Sequence, residues 1–387
     1  MDMKTLLFTE CVDLVGSTCK PFSGTKKYVS TGAVEVDHIN DSDIEIVDYE
    51  GKPSRANLEV MAGDVLCAKM QGTKKTLKID PVLADYIYST GFCAVRAKNG
   101  ILTKRYLYHI LASEMFLSQK DKNCSGATQK AITNAGLAKI TIKVPSIEEQ
   151  SAIADQLDTI VGIITKRQQE LTAFDDLVKA RFVEMFGDPN TNPMGWTEYP
   201  LSEMLNILGG YAFRSEGFCE ADGIPVLRIG NINAGFFKPV NMVFWEEDES
   251  LERYIMYPGD LVMSLTGTVG KDDYGNVCML GNDYDKYYLN QRNAKLELKE
   301  GLDKHYLSQL LRFEKIKKRL TGISRGVRQA NISNKDILGL RVPIPPIALQ
   351  WQYATFVTQV DKSKLTVQQG LDKLELLKQS LMQKYFG

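Results

Sequence analysis

The chain has 387 residues, 44% hydrophobic and 25% charged, with 47 Lys+Arg against 48 Asp+Glu and a net charge of −1. This is ordinary globular composition: it excludes dominant disorder and, at roughly 150 residues per domain, predicts two or three domains. There is no run of about 18 apolar residues to span a membrane. The opening MDMKTLLFTECVD, broken by Glu10 and Asp13, lacks the long apolar core and small-residue cleavage site expected of a signal peptide.

Along the chain the pattern is written twice. A helix start at Thr9-Glu10 leads into short β-rich runs, KYVSTGAV (27–34) and DVLCAKM (64–70), the latter after a Gly-Asp turn. A helical pattern RYLYHILASEMFL (105–117) follows, then a Gly-led loop SGATQKAITN (125–134) and an extended piece ending at Pro145. The second pass repeats the order. It runs from Ser202-Glu203 through PVLRIGNIN (225–233), DLVMSLT (260–266), HYLSQLLRFEKIKKRL (305–320) and RGVRQANISN (325–334) to Pro345-Pro346. Residues 126–187 laid on 326–387 give 14 identities in 62 positions without a gap, among them Gln150/Gln350, Phe186/Phe386 and Gly187/Gly387. The chain is two diverged copies of one unit.

After its prolines each copy becomes a long helix. Ile153, Leu157, Ile160, Ile164, Leu171, Phe174, Val178 and Met185 recur at spacings of four and three, interrupted at Arg167 and Arg181. The second copy has Tyr353, Val357, Val360, Val367, Leu371, Leu374, Leu381 and Tyr385, interrupted at Lys364 and Lys378. Such a heptad seam must be buried, and a globular segment between the helices lets the chain return and pair them antiparallel. The predicted fold class is α+β: two α/β globular domains joined by two long helices in an antiparallel coiled coil, as a pseudo-twofold internal repeat. The boundaries are 1–145, 146–187 (helix), 188–345 and 346–387 (helix).

The chemistry-bearing motifs are mostly missing. Seven cysteines form no C-x-x-C pair and only His38, His109 and His305 occur, which predicts reduced thiols, a cytoplasmic setting and no metal site. Gly267-Thr268-Val269-Gly270-Lys271-Asp272 is too short for a phosphate-binding P-loop, and no dinucleotide or deaminase signature is present. Asp260 with Glu297-Leu298-Lys299 resembles a metal-nuclease pattern, but Asp64, its counterpart, has no such partner downstream.

What the chain does repeat is Lys, Arg, Asn and Gln beside glycine, the side chains that read guanine and adenine edges in a major groove. In the first half the candidates are Lys69, Gln71, Thr73, Lys74, Gln129 and Lys130. In the second they are Arg214, Arg228, Thr268, Lys271, Arg292, Arg325 and Arg328. From Lys304 to Arg328 there are eight Lys/Arg against Glu314 alone, while 246–252 carries five acids, so one face can be basic despite the overall neutrality.

The strings RQANISNKDILGLRVPIPPIALQWQ (328–352), its copy TQKAITNAGLAKITIKVPSIEEQSAIADQLD (128–158) and ARFVEMFGDP (180–189) resemble the specificity subunits of type I restriction-modification systems. So do GGYAFRSEGF (209–218), GDLVMSLTGTVGK (259–271) and LNQRNAKLEL (289–298). The first half departs: 16–32 has no aromatic-Arg-Ser string like 213–215. The resemblance implies two target-recognition domains, each reading half of a bipartite, asymmetric site on double-stranded DNA. It implies a non-catalytic chain whose helices set the spacing and dock two methyltransferase subunits. S-adenosylmethionine, ATP and Mg would belong to the methyltransferase and restriction subunits, with no cofactor bound by this chain. For docking, the helix faces around Phe182, Phe186, Tyr385 and Phe386 are the candidates. Two like surfaces on one DNA face would sit about one turn, ~10 bp, apart. Two other readings stay open: a DNA nuclease or methyltransferase, and a two-module scaffold on a coiled coil that binds no DNA.

Overall fold

The computed structural model describes residues 3–232, 235–268, 273–322 and 329–387. The helices that position the site are α1 (Lys104–Ala112), α2 (Glu114–Lys122), α3 (Ile147–Phe186), α4 (Lys304–Arg312), α5 (Glu314–Thr321) and α6 (Ile347–Phe386). The chain divides into two compact units, Met1–Gln169 with Gln368–Gly387, and Glu170–Val367.

In the first unit, Val12–Val15, Phe92–Ala97, Val65–Ala68 and Thr76–Lys78 form an antiparallel sheet in that order. A second sheet orders Ser17–Thr18, Ala56–Glu59, Ile87–Ser89, Lys26–Val29 and Glu45–Val47, with one parallel pair. The second unit repeats the first sheet with Leu205–Gly209, Asn293–Leu298, Leu261–Ser264 and Val277–Met279. It repeats the parallel pair with Ile224–Leu227 and Tyr287–Leu289. Strands such as VLCA and LVMS, buried throughout, are continuous apolar runs rather than alternating ones because both faces are covered.

The duplication reaches single hydrogen bonds. Thr103 and Asp303 cap α1 and α4. The fully buried Gln150 accepts from Thr103 N (2.8 Å) and donates to the carbonyls of Ile101 and Pro145 (2.8 and 3.0 Å). Gln350 does the same with Asp303, Gly301 and Pro345 (2.8, 3.1 and 2.8 Å). Each glutamine ties the root of a long helix to the start of its domain's helix, so the Gln150/Gln350 identity is structural.

Two sequence expectations need correction. The opening amphipathic stretches are helical for one turn only, Phe8–Cys11 and Leu201–Met204, because Val12–Val15 and Leu205–Gly209 are drawn into the sheets. The patterns 105–117 and 305–320 are each two helices. Ser113 Oγ donates to Ile110 O (2.6 Å) and accepts from Phe116 N (3.2 Å), ending α1 and capping α2. Phe313 makes the second break in an extended conformation, its ring 5.1 Å from that of Phe182.

The long helices hold 40 residues each, about 60 Å at 1.5 Å per residue. Within the second unit they run antiparallel: Asp175 pairs with Lys364 (2.6 Å) and, further along α3, Phe182 packs on Tyr353. Within the first unit Tyr385 donates to Gln156 Oε1 (2.7 Å). The end of each helix is an aromatic anchor for the domain of the other copy. Phe186 and Phe182 pack on Tyr306 at 4.9 and 5.2 Å, and Phe386 packs on Tyr106 at 5.2 Å.

Candidate nucleic-acid interface

In the first unit, strand Val65–Ala68 leaves its sheet at Lys69 and returns at Thr76. Between them the chain is held against two other loops. Lys69 N donates to Gly91 O (2.9 Å), Ile132 N to Lys69 O (2.9 Å), and Gln71 N to Lys130 O (2.9 Å). Three loops, 69–75, 90–91 and 125–132, therefore meet at one junction. Gly126 makes the last of these possible: its φ is +134°, and a Cβ there would stand 2.4 Å from Gln129 O.

The second unit builds the same junction. Leu265 N donates to Arg292 O (2.8 Å) and Ile332 N to Leu265 O (2.9 Å), while Thr266–Thr268 pairs with Gln329–Asn331. The loop 289–293 is the hub. Tyr211 N donates to Leu289 O and Gln291 N to Tyr211 O, both at 2.9 Å. The fully buried Asn293 donates to Leu227 O (2.6 Å). Gly210 lets the backbone come that close, since a Cβ would lie 2.2 Å from Asn290 O. The segments carrying Arg214, Arg228, Thr268 and Arg292 are thus fixed around one loop.

The candidate side chains differ in freedom. Gln71, Lys74, Gln129, Lys130, Arg214, Thr268 and Arg292 are exposed; Lys69, Thr73 and Arg228 are half-buried. Several are already engaged. Lys69 Nζ donates to Thr90 O (3.1 Å), Lys74 pairs with Glu114 (2.5 Å), and an Arg228 Nη donates to Asn241 O (2.6 Å). Thr268 gives its N–H and hydroxyl to Asp273 (2.8 and 2.9 Å). Lys271, Arg325 and Arg328 lie outside the described residues.

Phe182, Phe186, Tyr385 and Phe386 are not surface groups. All four are nearly or fully buried in the core of their own unit, so their rings cannot themselves contact a partner. The exposed apolar positions on these helices are different: Leu177, Val183, Trp351 and Leu365 in one unit, Ile147, Ile163, Leu376 and Leu377 in the other.

Asp260, the acid of the nuclease-like string, accepts from Tyr257 N (2.9 Å) and pairs with Lys295 (2.8 Å). Asp64 accepts from Met61 N (2.8 Å) and pairs with Arg96 (2.6 Å). Both acids brace a Gly-Asp turn at the head of a strand. Among the described residues no group of three or more His, Cys, Asp and Glu side chains could hold a metal ion, and no helix is long and apolar enough to cross a membrane.

Sequence reasoning missed Lys120 and Asp121, which hold the 70–73 turn, and it did not single out Asn293 within its loop. Only the Asn290-Gln291-Arg292-Asn293 string gave a signal for the last.

The type I restriction modification DNA specificity domain matches residues 16–173 and 193–376. The MjaVIII type I restriction enzyme specificity subunit of Methanocaldococcus jannaschii is 27% identical over 320 residues, covering 76% of this chain and 72% of that protein. The EcoKI specificity subunit of Escherichia coli is 23% identical over 323 residues, covering 76% and 67%. The S subunit of a type I restriction-modification system from M. genitalium shares the fold, with a TM-score of 0.56 and 14% identity over 100% of this chain and 96% of that one.

Proposed function

Because this chain belongs to the type I restriction-modification DNA specificity family, we propose that its two loop junctions each read one half of a bipartite, asymmetric site on double-stranded DNA. The observation that carries this is the repeated junction. In both units a strand-end loop, a hub loop and a loop rooted before the long helix are hydrogen-bonded together at equivalent positions. Exposed Gln, Lys and Arg side chains stand on backbone that is already fixed, the arrangement that base reading requires. Ser, Thr and backbone N–H groups beside them suit phosphate contact, which sets register on the duplex.

The chain acts as a non-catalytic subunit in the cytoplasm. S-adenosylmethionine, ATP and Mg are the business of methyltransferase and restriction subunits, and this chain holds none of its own. Two methyltransferase subunits dock on the long helices. The rings at 182, 186, 385 and 386 hold those helices from inside, and exposed residues on the same helices, Trp351 and Leu365 foremost, form the contact. The recognition domains span about 1–145 and 188–345, with 146–187 and 346–387 as spacer.

The test is to co-express the chain with its neighbouring methyltransferase subunit and map modified adenines in the genomic DNA. A single bipartite motif with a fixed gap, absent without this chain, is the expected result. Association without any modified motif would remove the DNA reading.

A further inference from the structure

The tip that carries Gln71 and Lys74 is held from behind by a charge pair at the end of α2. Lys120 has no exposure to solvent. Taking a lysine ammonium out of water is costly unless protein oxygens replace the lost hydration. Here they do. Nζ donates to Met70 O (2.9 Å) and Thr73 O (3.1 Å) and pairs with Asp121 Oδ1 (3.0 Å). Asp121 completes the arrangement: its Oδ2 accepts from Gly72 N (3.0 Å), and its carbonyl accepts from the Gln71 side-chain amide (3.2 Å). Every residue from 70 to 73 is therefore tied to one of two adjacent helix residues.

In the second unit the contacts among the described residues are different ones. The repeat offset of 200 puts the buried, apolar Leu320 opposite Lys120. There Thr268 is held by Asp273 within its own loop, and Lys317 Nζ donates to Asn276 Oδ1 (2.7 Å). Among the described residues, a helix-borne clamp on four successive tip residues is seen in the first half.

We propose that Lys120 and Asp121 are positioning residues that set the base specificity of the first half-site, without touching DNA themselves. The proposal rests on the reading that loop 69–75 meets DNA. In a flexible tip, Gln71 and Lys74 would sample several positions and accept several bases. Clamped at 70, 71, 72 and 73, they present one geometry.

The experiment uses the full chain in complex with its methyltransferase subunit. Its bipartite motif is mapped first, and binding is then measured to a panel of duplexes carrying every single-base change in either half. Lys120→Met keeps the length of the side chain and removes the ammonium; Asp121→Asn keeps the shape and removes the charge. For both, discrimination should fall by about ten- to hundredfold at one or two positions of one half-site, with the other half unchanged. Circular dichroism checks folding, and if Lys120→Met fails to fold, Asp121→Asn decides by the same criterion. An unchanged motif, or a loss spread evenly over both halves, overturns the proposal. A wild-type complex with no bipartite motif instead overturns the DNA reading, and this inference with it, so the two failures are read from different samples.

Discussion

His109 is buried on α1, with Nε2 2.9 Å from Asp158 Oδ1. Burial pushes its pKa down from 6.5 to about 4, although Asp158 pulls the other way. The folded chain therefore keeps a neutral imidazole where the unfolded chain takes up a proton. Its contribution to stability is full above about pH 6.5 and is lost as the pH falls toward 4. His305, also lowered by burial, adds with the same sign. His109→Gln, which installs the residue found at 309 in the second copy, should flatten that part of a denaturant-midpoint profile between pH 6.5 and 4. An unaltered slope would mean the imidazole titrates normally in the folded chain. At the same scale, exposed Arg292 stands on the hub loop. If it reads a base, Arg292→Ala costs ~1–3 kcal/mol of discrimination at one position of one half-site. A loss equal for all sequences in the binding panel would make it a phosphate contact.

The long helices separate stability from association. Phe182 is fully buried among Phe186, Tyr306, Phe313 and Tyr353. Phe182→Ala should cost about 3–5 kcal/mol in urea unfolding. Trp351 is 60% exposed on α6. Trp351→Ala should leave the unfolding free energy within about 0.5 kcal/mol of wild type yet weaken methyltransferase-subunit binding in calorimetry. A stable variant with unchanged binding would move the docking surface elsewhere. These helices were legible in the sequence because a heptad seam is a local signal. The breaks at Ser113 and Phe313 were not, since the apolar spacing runs through both and only capping and ring packing end the helices. Nor was the exchange of anchors: Phe186-Gly187 and Phe386-Gly387 are identical, so nothing local says which end packs on Tyr106 and which on Tyr306. Lys120 escaped for a similar reason, because a lysine in the last turn of a helix reads as a solvated cation at the dipole's negative end.

For the molecule as a whole, the repeat was the most informative feature of the sequence. It pointed to both regions: the segments at 69–75 and 129–130 in one half, and at 211, 266–268 and 290–293 in the other, meet in the structure, whereas the Thr90-Gly91 loop of the first junction carried no signal. It could not say which side chains stay free, because Lys74–Glu114 and Thr268–Asp273 are pairings fixed by folding. Charge sets the last expectation. A net −1 gives the isolated chain little long-range attraction to a polyanion. Each neutralised phosphate contributes about −0.9 to the slope of log K against log salt. The isolated chain should therefore bind its DNA with a shallow slope, and adding the methyltransferase subunits should steepen it by several units as their own basic surface meets the backbone. If the slope is already steep for the chain alone, its loops do the phosphate binding themselves. The partner subunits then add stiffness and chemistry but little affinity.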